Sequence, residues 1–181
     1  MTRSTAVPRL VAALAAVLAA GLVASPVAAS AANAAHSAYG YQLLSNLNSN
    51  LCLGVAGGDM ANGSKVVQSD CTDHPDQWWT WMGNGDGFYE VRNSANNSKC
   101  LGVPGGSKDP GAQLVIWDCN GHLDQQWHFS SVDYGNDAQL TFLQNRNSRL
   151  IIGVAGGSQD PGAAVVQWWL DVAGNNQAWI H

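Results

Sequence analysis

Three successive stretches of the chain carry the same landmarks in the same order. Residues 41–87 contain CLGVAGG from Cys52, VVQSDC ending at Cys71, and Gln77-Trp78-Trp79. Residues 88–137 contain CLGVPGG from Cys100, LVIWDC ending at Cys119, and Gln125-Gln126-Trp127. Residues 138–181 contain IIGVAGG from Ile151, VVQWWL ending at Leu170, and Gln177-Ala178-Trp179. The first two units superpose without a gap, at one constant offset from Cys52 to Cys100, from Cys71 to Cys119 and from Gln77 to Gln125. The third has one extra residue before its Q-x-W. Self-similarity of this period marks a repeat architecture, in which each unit buries its apolar face against its neighbours.

Within each unit the pattern is of short strands between turns. Strand-like starts lie at Tyr41–Leu44, Tyr89–Arg92 and Leu140–Leu143, followed by the C-L-G-V segment, the V-V-Q or L-V-I-W segment, and the segment around the Q-x-W tryptophan. Gly-Gly, Asn-Gly and Asp-Pro-Gly clusters separate them, which is turn chemistry. No segment after the first forty residues sustains a 3.6-residue apolar period. The expected class is all-β. Three repeats of four strands are too few for a propeller, and a closed threefold barrel fits.

The beginning of the chain reads differently. Arg3 and Arg9 precede an unbroken apolar run from Leu10 to Val23, and small residues with A-x-A-like sites follow. This is the pattern of a secretory signal peptide. The run is shorter than the roughly 20 residues of a spanning helix. Residues 1–32 are therefore expected to be a leader with several usable cleavage sites, 33–40 a short lead, and 41–181 one exported domain with no membrane attachment after cleavage. Without Arg3 and Arg9, six scattered basic residues face 13 acidic ones. A phosphate-tracking stripe is absent, so nucleic acid is not an expected partner.

The only cysteines are Cys52, Cys71, Cys100 and Cys119. Four cysteines allow three connectivities. Repeat symmetry selects Cys52–Cys71 and Cys100–Cys119. A zinc site is disfavoured, because C-x-x-C spacing is missing and export leads to an oxidising space. The matching pair in the third unit is Ile151 and Leu170. An apolar contact between them is expected in place of the bridge.

Three units carrying C-L-G-V, then a Cys or its equivalent, then Q-x-W resemble the ricin-B-type lectin family. The resemblance covers about residues 41–181. It implies a β-trefoil: a six-stranded barrel capped by three hairpins, with one shallow sugar site per unit. It also implies where each site lies. Sugar recognition needs an aromatic face for the C–H side of the ring and a few fixed polar groups for the hydroxyls. The aromatic position falls two residues before the second Cys: Ser69, Trp117 and Trp168. Trp169 follows Trp168, and successive strand residues face opposite ways, so one of the two is expected in the core. The polar residue before Q-x-W is Asp76, Asp124 or Asn176. A second polar residue of the family pattern, the Asp after Cys-Leu, is replaced by Gly54, Gly102 and Gly153. Asp59, Asp109 and Asp160 lie nearby but read as turn formers. The Q-x-W tryptophans read as core, and their glutamines as satisfying backbone groups.

The candidate carbohydrate-binding set is therefore Trp117, Asp124 and Gln125 in the second unit, Trp168, Asn176 and Gln177 in the third, and Asp76 and Gln77 in the first. Catalytic motifs such as G-x-S-x-G and H-E-x-x-H do not occur, and the five histidines have no metal-ligand spacing. Neither metal nor cofactor is expected, and an enzyme is disfavoured. Two classes remain: a secreted lectin-like protein that binds glycans, or a trefoil that binds protein, for instance as a protease inhibitor, after losing its sugar sites.

Overall fold

The structure is a computed structural model that describes residues 40–135, 138–171 and 174–181. The leader expected over 1–32 lies outside the described residues, as does the lead through 39. The described chain is all-β: thirteen short strands and six single 3-10 turns, with no α-helix among the described residues.

Six strand positions close a barrel. The first is a broken strand, β1 (Gln42–Leu43) and β2 (Ser45–Asn46), interrupted at Leu44. The others are β5 (Trp78–Gly83), β6 (Tyr89–Asn93), β9 (Gln126–Gly135), β10 (Ala138–Asn145) and β13 (Trp179–Ile180). Neighbours pair antiparallel from β1 through β5, β6, β9 and β10 to β13. Closure comes from β13 against β2, with Trp179 opposite Asn46 and Ile180 opposite Ser45. The last strand thus lies beside the first.

Three hairpins cap one end: β3 (Cys52–Val55) with β4 (Val66–Ser69), β7 (Lys99–Gly102) with β8 (Val115–Asp118), and β11 (Ile151–Val154) with β12 (Val165–Trp168). Backbone bonds knit them in a ring: Val66 N–H to the Leu114 carbonyl at 3.0 Å and Leu114 N–H to the Val165 carbonyl at 2.9 Å. Period-2 alternation drives one side chain of each pair inward. Leu44, Leu53, Val91, Leu101, Leu143 and Ile152 converge there, all fully buried, with Trp79, Trp127 and Trp179. The three Q-x-W tryptophans are core residues, each 0 % exposed. Trp79 and Trp127 donate their indole N–H to the carbonyls of Leu53 and Leu101 at 2.9 and 3.0 Å. Among the described residues, the Trp179 indole N–H has no partner.

Both expected disulfides are present, each with a Cα–Cα distance of 5.0 Å. In the third unit Ile151 is buried and Leu170 is 58 % exposed, and both line one cavity. The Trp168-Trp169 expectation is corrected. Strand β12 ends at Trp168, so alternation stops there, and both rings are exposed, at 48 % and 63 %.

Candidate functional site

In the second and third units the hairpin forms one wall of a lateral cleft, and the 3-10 turn before the Q-x-W strand forms the other. In every unit the first hairpin strand ends in a turn at 56–58, 104–106 or 155–157. Its middle residue is Gly57, Gly105 or Gly156, with φ of 63°, 62° and 61°. This left-handed conformation favours glycine, and in the second and third units the turn itself lines the cleft.

The Q-x-W glutamines build the inner wall. All three are buried. Gln77 accepts from the Thr72 N–H at 2.7 Å and donates to the Asp70 carbonyl at 2.7 Å. Gln125 accepts from the Asn120 N–H and donates to the Asp118 carbonyl, both at 3.0 Å. Gln177 accepts from the Asp171 N–H and donates to the Trp169 carbonyl, both at 2.8 Å. Both ends of each amide are thus engaged by backbone, as buried polar groups require. Their work is to hold the segment after the second hairpin strand against the cleft.

That packing explains the glycines where the family pattern has Asp. A Cβ at Gly54 would lie 3.0 Å from Gln77 Cγ and 3.2 Å from an Asp76 carboxylate oxygen. At Gly102 it would lie 3.0 Å from Gln125 Cγ and 3.4 Å from an Asp124 carboxylate oxygen. At Gly153 it would lie 2.7 Å from Gln177 Cγ. A side chain on the strand would push on the glutamine in all three units, most in the third. In the first two units, the carboxylate of the residue before Gln occupies the space above the glycine. The acceptor on the turn is kept and the one on the strand is absent.

Asp76 receives the Val55 N–H on its carboxylate at 3.3 Å. Burial raises the carboxyl pKa of Asp76, and that backbone bond partly opposes the rise. Burial likewise raises Asp124. Asn176, the counterpart in the third unit, donates its amide to the Val154 carbonyl at 3.1 Å and keeps its oxygen as acceptor.

Sequence reasoning passed over three residues that pin these acceptors. Asn93 donates to the Asp76 carbonyl at 2.7 Å, Asn145 to the Asp124 carbonyl at 2.8 Å, and Asn46 to the Asn176 carbonyl at 2.9 Å. All three are fully buried. Each belongs to the following unit in the ring, so each site is held from outside its own repeat. The signal available in the sequence is an Asn at the end of the strand before each C-L-G-V or I-I-G-V segment.

The aromatic position separates the units. Trp117 is 46 % exposed and lines a cleft of about 270 Å³ with Gly102, Val103, Asn120, His122 and Asp124. Trp168 lines one of about 720 Å³ with Trp169, Leu170, Asp171 and Asn176. In the first unit Ser69 takes the place of the ring, and its hydroxyl accepts from Gln77 at 2.7 Å. Asp59, Asp109 and Asp160 bond within their own turns, Asp59 to the Ala61 N–H and the others to the Ser107 and Ser158 hydroxyls. They are turn residues.

A family model described as ricin-type beta-trefoil lectin domain-like matches residues 30–117 and 93–168. Among solved structures, the designed threefold-symmetric protein ThreeFoil is similar at a TM-score of 0.70 and 29 % identity, over 77 % of this chain and 96 % of that one. An exo-β-1,3-galactanase from Clostridium thermocellum is similar at 0.69 and 29 % identity, over 77 % of this chain but 29 % of that enzyme. The Macrolepiota procera ricin B-like lectin, solved with lactose, shares the fold at 0.61 and 22 % identity, over 77 % and 93 % of the two chains. No curated protein sequence matches the chain.

Proposed function

Because the chain belongs to the ricin-type β-trefoil lectin domain-like family, we propose that it is an exported carbohydrate-binding protein working through the clefts of its second and third units. Membership places it among lectin-type binding domains, not enzymes. The observation that carries the reading is the pairing, in those two clefts, of a half-exposed indole face with a polar group pinned by a buried Asn. An indole face takes the C–H side of a pyranose, and the pinned acceptor takes a hydroxyl. Trp117 with Asp124 and Trp168 with Asn176 carry recognition, while Gln125 and Gln177 hold them in place. The first unit has Asp76 and Gln77 but no ring.

The two disulfides suit an oxidising extracellular space. The ligand proposed first is a β-galactoside polymer, since the similar structures include a galactanase and a lectin solved with lactose. A shallow site with few polar anchors yields about 4–5.5 kcal/mol, a dissociation constant of roughly 0.1–1 mM. A polymer spanning two sites binds more tightly, because tethering raises the effective concentration.

The test is affinity electrophoresis on soluble galactan, arabinan and xylan. Trp117→Ala and Trp168→Ala each weaken retention, the double variant abolishes it, and Ser69→Ala leaves it unchanged. Melting temperatures stay near the parent value, because both rings are half exposed. If the parent protein is retained by no polysaccharide, the lectin reading falls and a protein-binding trefoil replaces it.

A further inference from the structure

The hairpin loops contain three equivalent glycines. Gly63, Gly111 and Gly162 have φ of 89°, 89° and 86°. Each donates its N–H across the cap to the residue before the aromatic position of another unit: Gly63 to the Ile116 carbonyl at 2.9 Å, Gly111 to the Gln167 carbonyl at 2.8 Å, and Gly162 to the Gln68 carbonyl at 2.7 Å. The three turns are thus alike in backbone and in bonding.

What lies over them differs. A Cβ on Gly111 would come within 3.2 Å of Trp168 Cζ3 and 3.9 Å of its Cε3. A Cβ on Gly63 would lie 3.6 Å from Trp117 Cζ3. A Cβ on Gly162 would meet nothing within 4 Å, because the aromatic position there is Ser69. Gly111 also lines the third unit's cleft. Each indole is therefore seated on the bare backbone of the preceding unit's loop.

The two seats are not equally braced. Beside Trp117, Asn62 of the first unit accepts from the Asp118 N–H at 2.9 Å and donates to the Asp118 carboxylate at 2.7 Å. Lys99 bonds both Asn62 and Asp118 at 2.7 Å. Beside Trp168 the equivalents are Pro110 of the second unit and Trp169 of the third, whose side chains cannot form that polar clamp. The contact of Trp168 with Gly111 stands without it.

We propose that Gly111 is a positioning residue for the third sugar site, setting the tilt of the Trp168 face from the neighbouring repeat, and that Gly63 does the same less stringently for Trp117. This rests on Trp168 being a sugar platform. It makes the third site a joint product of two repeats: its aromatic face belongs to one and the seat of that face to the other.

The experiment compares Gly111→Ala with Gly162→Ala, both in a Trp117→Ala background so that only the third site reports. Both variants place a side chain at positive φ and lower the melting temperature by similar amounts. The protein carries fluorotryptophan, and Trp168→Phe assigns the Trp168 fluorine resonance. Gly111→Ala shifts that resonance and weakens retention on galactan several-fold, while Gly162→Ala does neither. Gly111→Asn, which tolerates positive φ better, takes over if the Ala variant does not fold. An unmoved Trp168 resonance, or equal retention of the two variants, overturns the proposal. A shifted resonance in a protein whose parent is retained by no glycan overturns the sugar reading and the functional part of the proposal with it, and leaves the seating contact established.

Discussion

Asp124 and Asn176 stand at the same place in two repeats and differ by one ionisable oxygen. Burial raises the Asp124 carboxyl pKa. Its carboxylate therefore gains a proton at a higher pH than an exposed aspartate. A charged acceptor makes the stronger hydrogen bond to a sugar hydroxyl, so second-site retention weakens on acidification, beginning above the usual carboxylate range. The loss is not unfolding through this group. A carboxyl with a raised folded pKa opposes folding when ionised, so protonating it favours the folded state. Retention measured across acidic pH in a Trp168→Ala background shows the decline, and Asp124→Asn flattens it. The third site, isolated by Trp117→Ala, shows no such step from Asn176. An identical profile for Asp124→Asn and its parent excludes Asp124 as the titrating acceptor.

At the scale of the element, three hairpins solve one packing problem in different ways. Gln68 and Gln167 are buried and donate to loop carbonyls of the neighbouring unit, Ser158 and Asp160 for one and Ser107 and Asp109 for the other. The matching residue of the second unit is Ile116, fully buried. The loop facing it carries Met60, which packs on the core, in place of a polar S-x-D-P turn. Polar residue meets carbonyls, and apolar residue meets apolar loop. The β11–β12 hairpin lacks the staple of the other two, although Ile151 pairs opposite Trp168 in the register in which Cys52 pairs opposite Ser69. Ile151→Cys with Leu170→Cys should therefore form a third bridge across the same 19-residue separation. A loop of that length is worth about 3 kcal/mol in the chain-entropy model. Thermal melting with and without reductant reads it. Free thiols in the double variant show that the strand ends are placed differently from the other units.

At the scale of the molecule, stability depends on the two-residue strand that ends the described chain. Trp179 fills the core from β13, and β13 joins β10 to β2. Deleting Ala178 to His181 removes both the buried ring and the closure. Loss of a buried Trp costs about 3–5 kcal/mol, against a total of roughly 5–15 kcal/mol for a domain. The deletion should melt far below the parent, by circular dichroism. Melting at the parent temperature would show that closure is dispensable. The same ring-like connectivity passes through the sites: a buried Asn of the next unit pins each acceptor, and a loop glycine of the preceding unit seats each indole. An isolated repeat would hold neither.

The trefoil was implied by the family resemblance, while period and residue type were enough to establish three units, an all-β class, a closed threefold barrel, two disulfides and the core role of the three Q-x-W tryptophans. These follow from local rules repeated three times, and a repeat writes its own register into the chain. What lay beyond the sequence depends on distances between segments far apart in it. The glycines in place of the expected Asp looked like missing acceptors. Only the packed structure shows Gln Cγ about where a side chain would go, with the Asp76 and Asp124 carboxylates turned into the space. Alternation suggested that one of Trp168 and Trp169 is buried. The strand ends at Trp168 and leaves both outside. The chain's order of residues determined which groups each repeat carries; closure of the barrel decided which of them meet, because the second and third clefts each draw their floor, their acceptor's anchor and the backbone under their indole from different repeats.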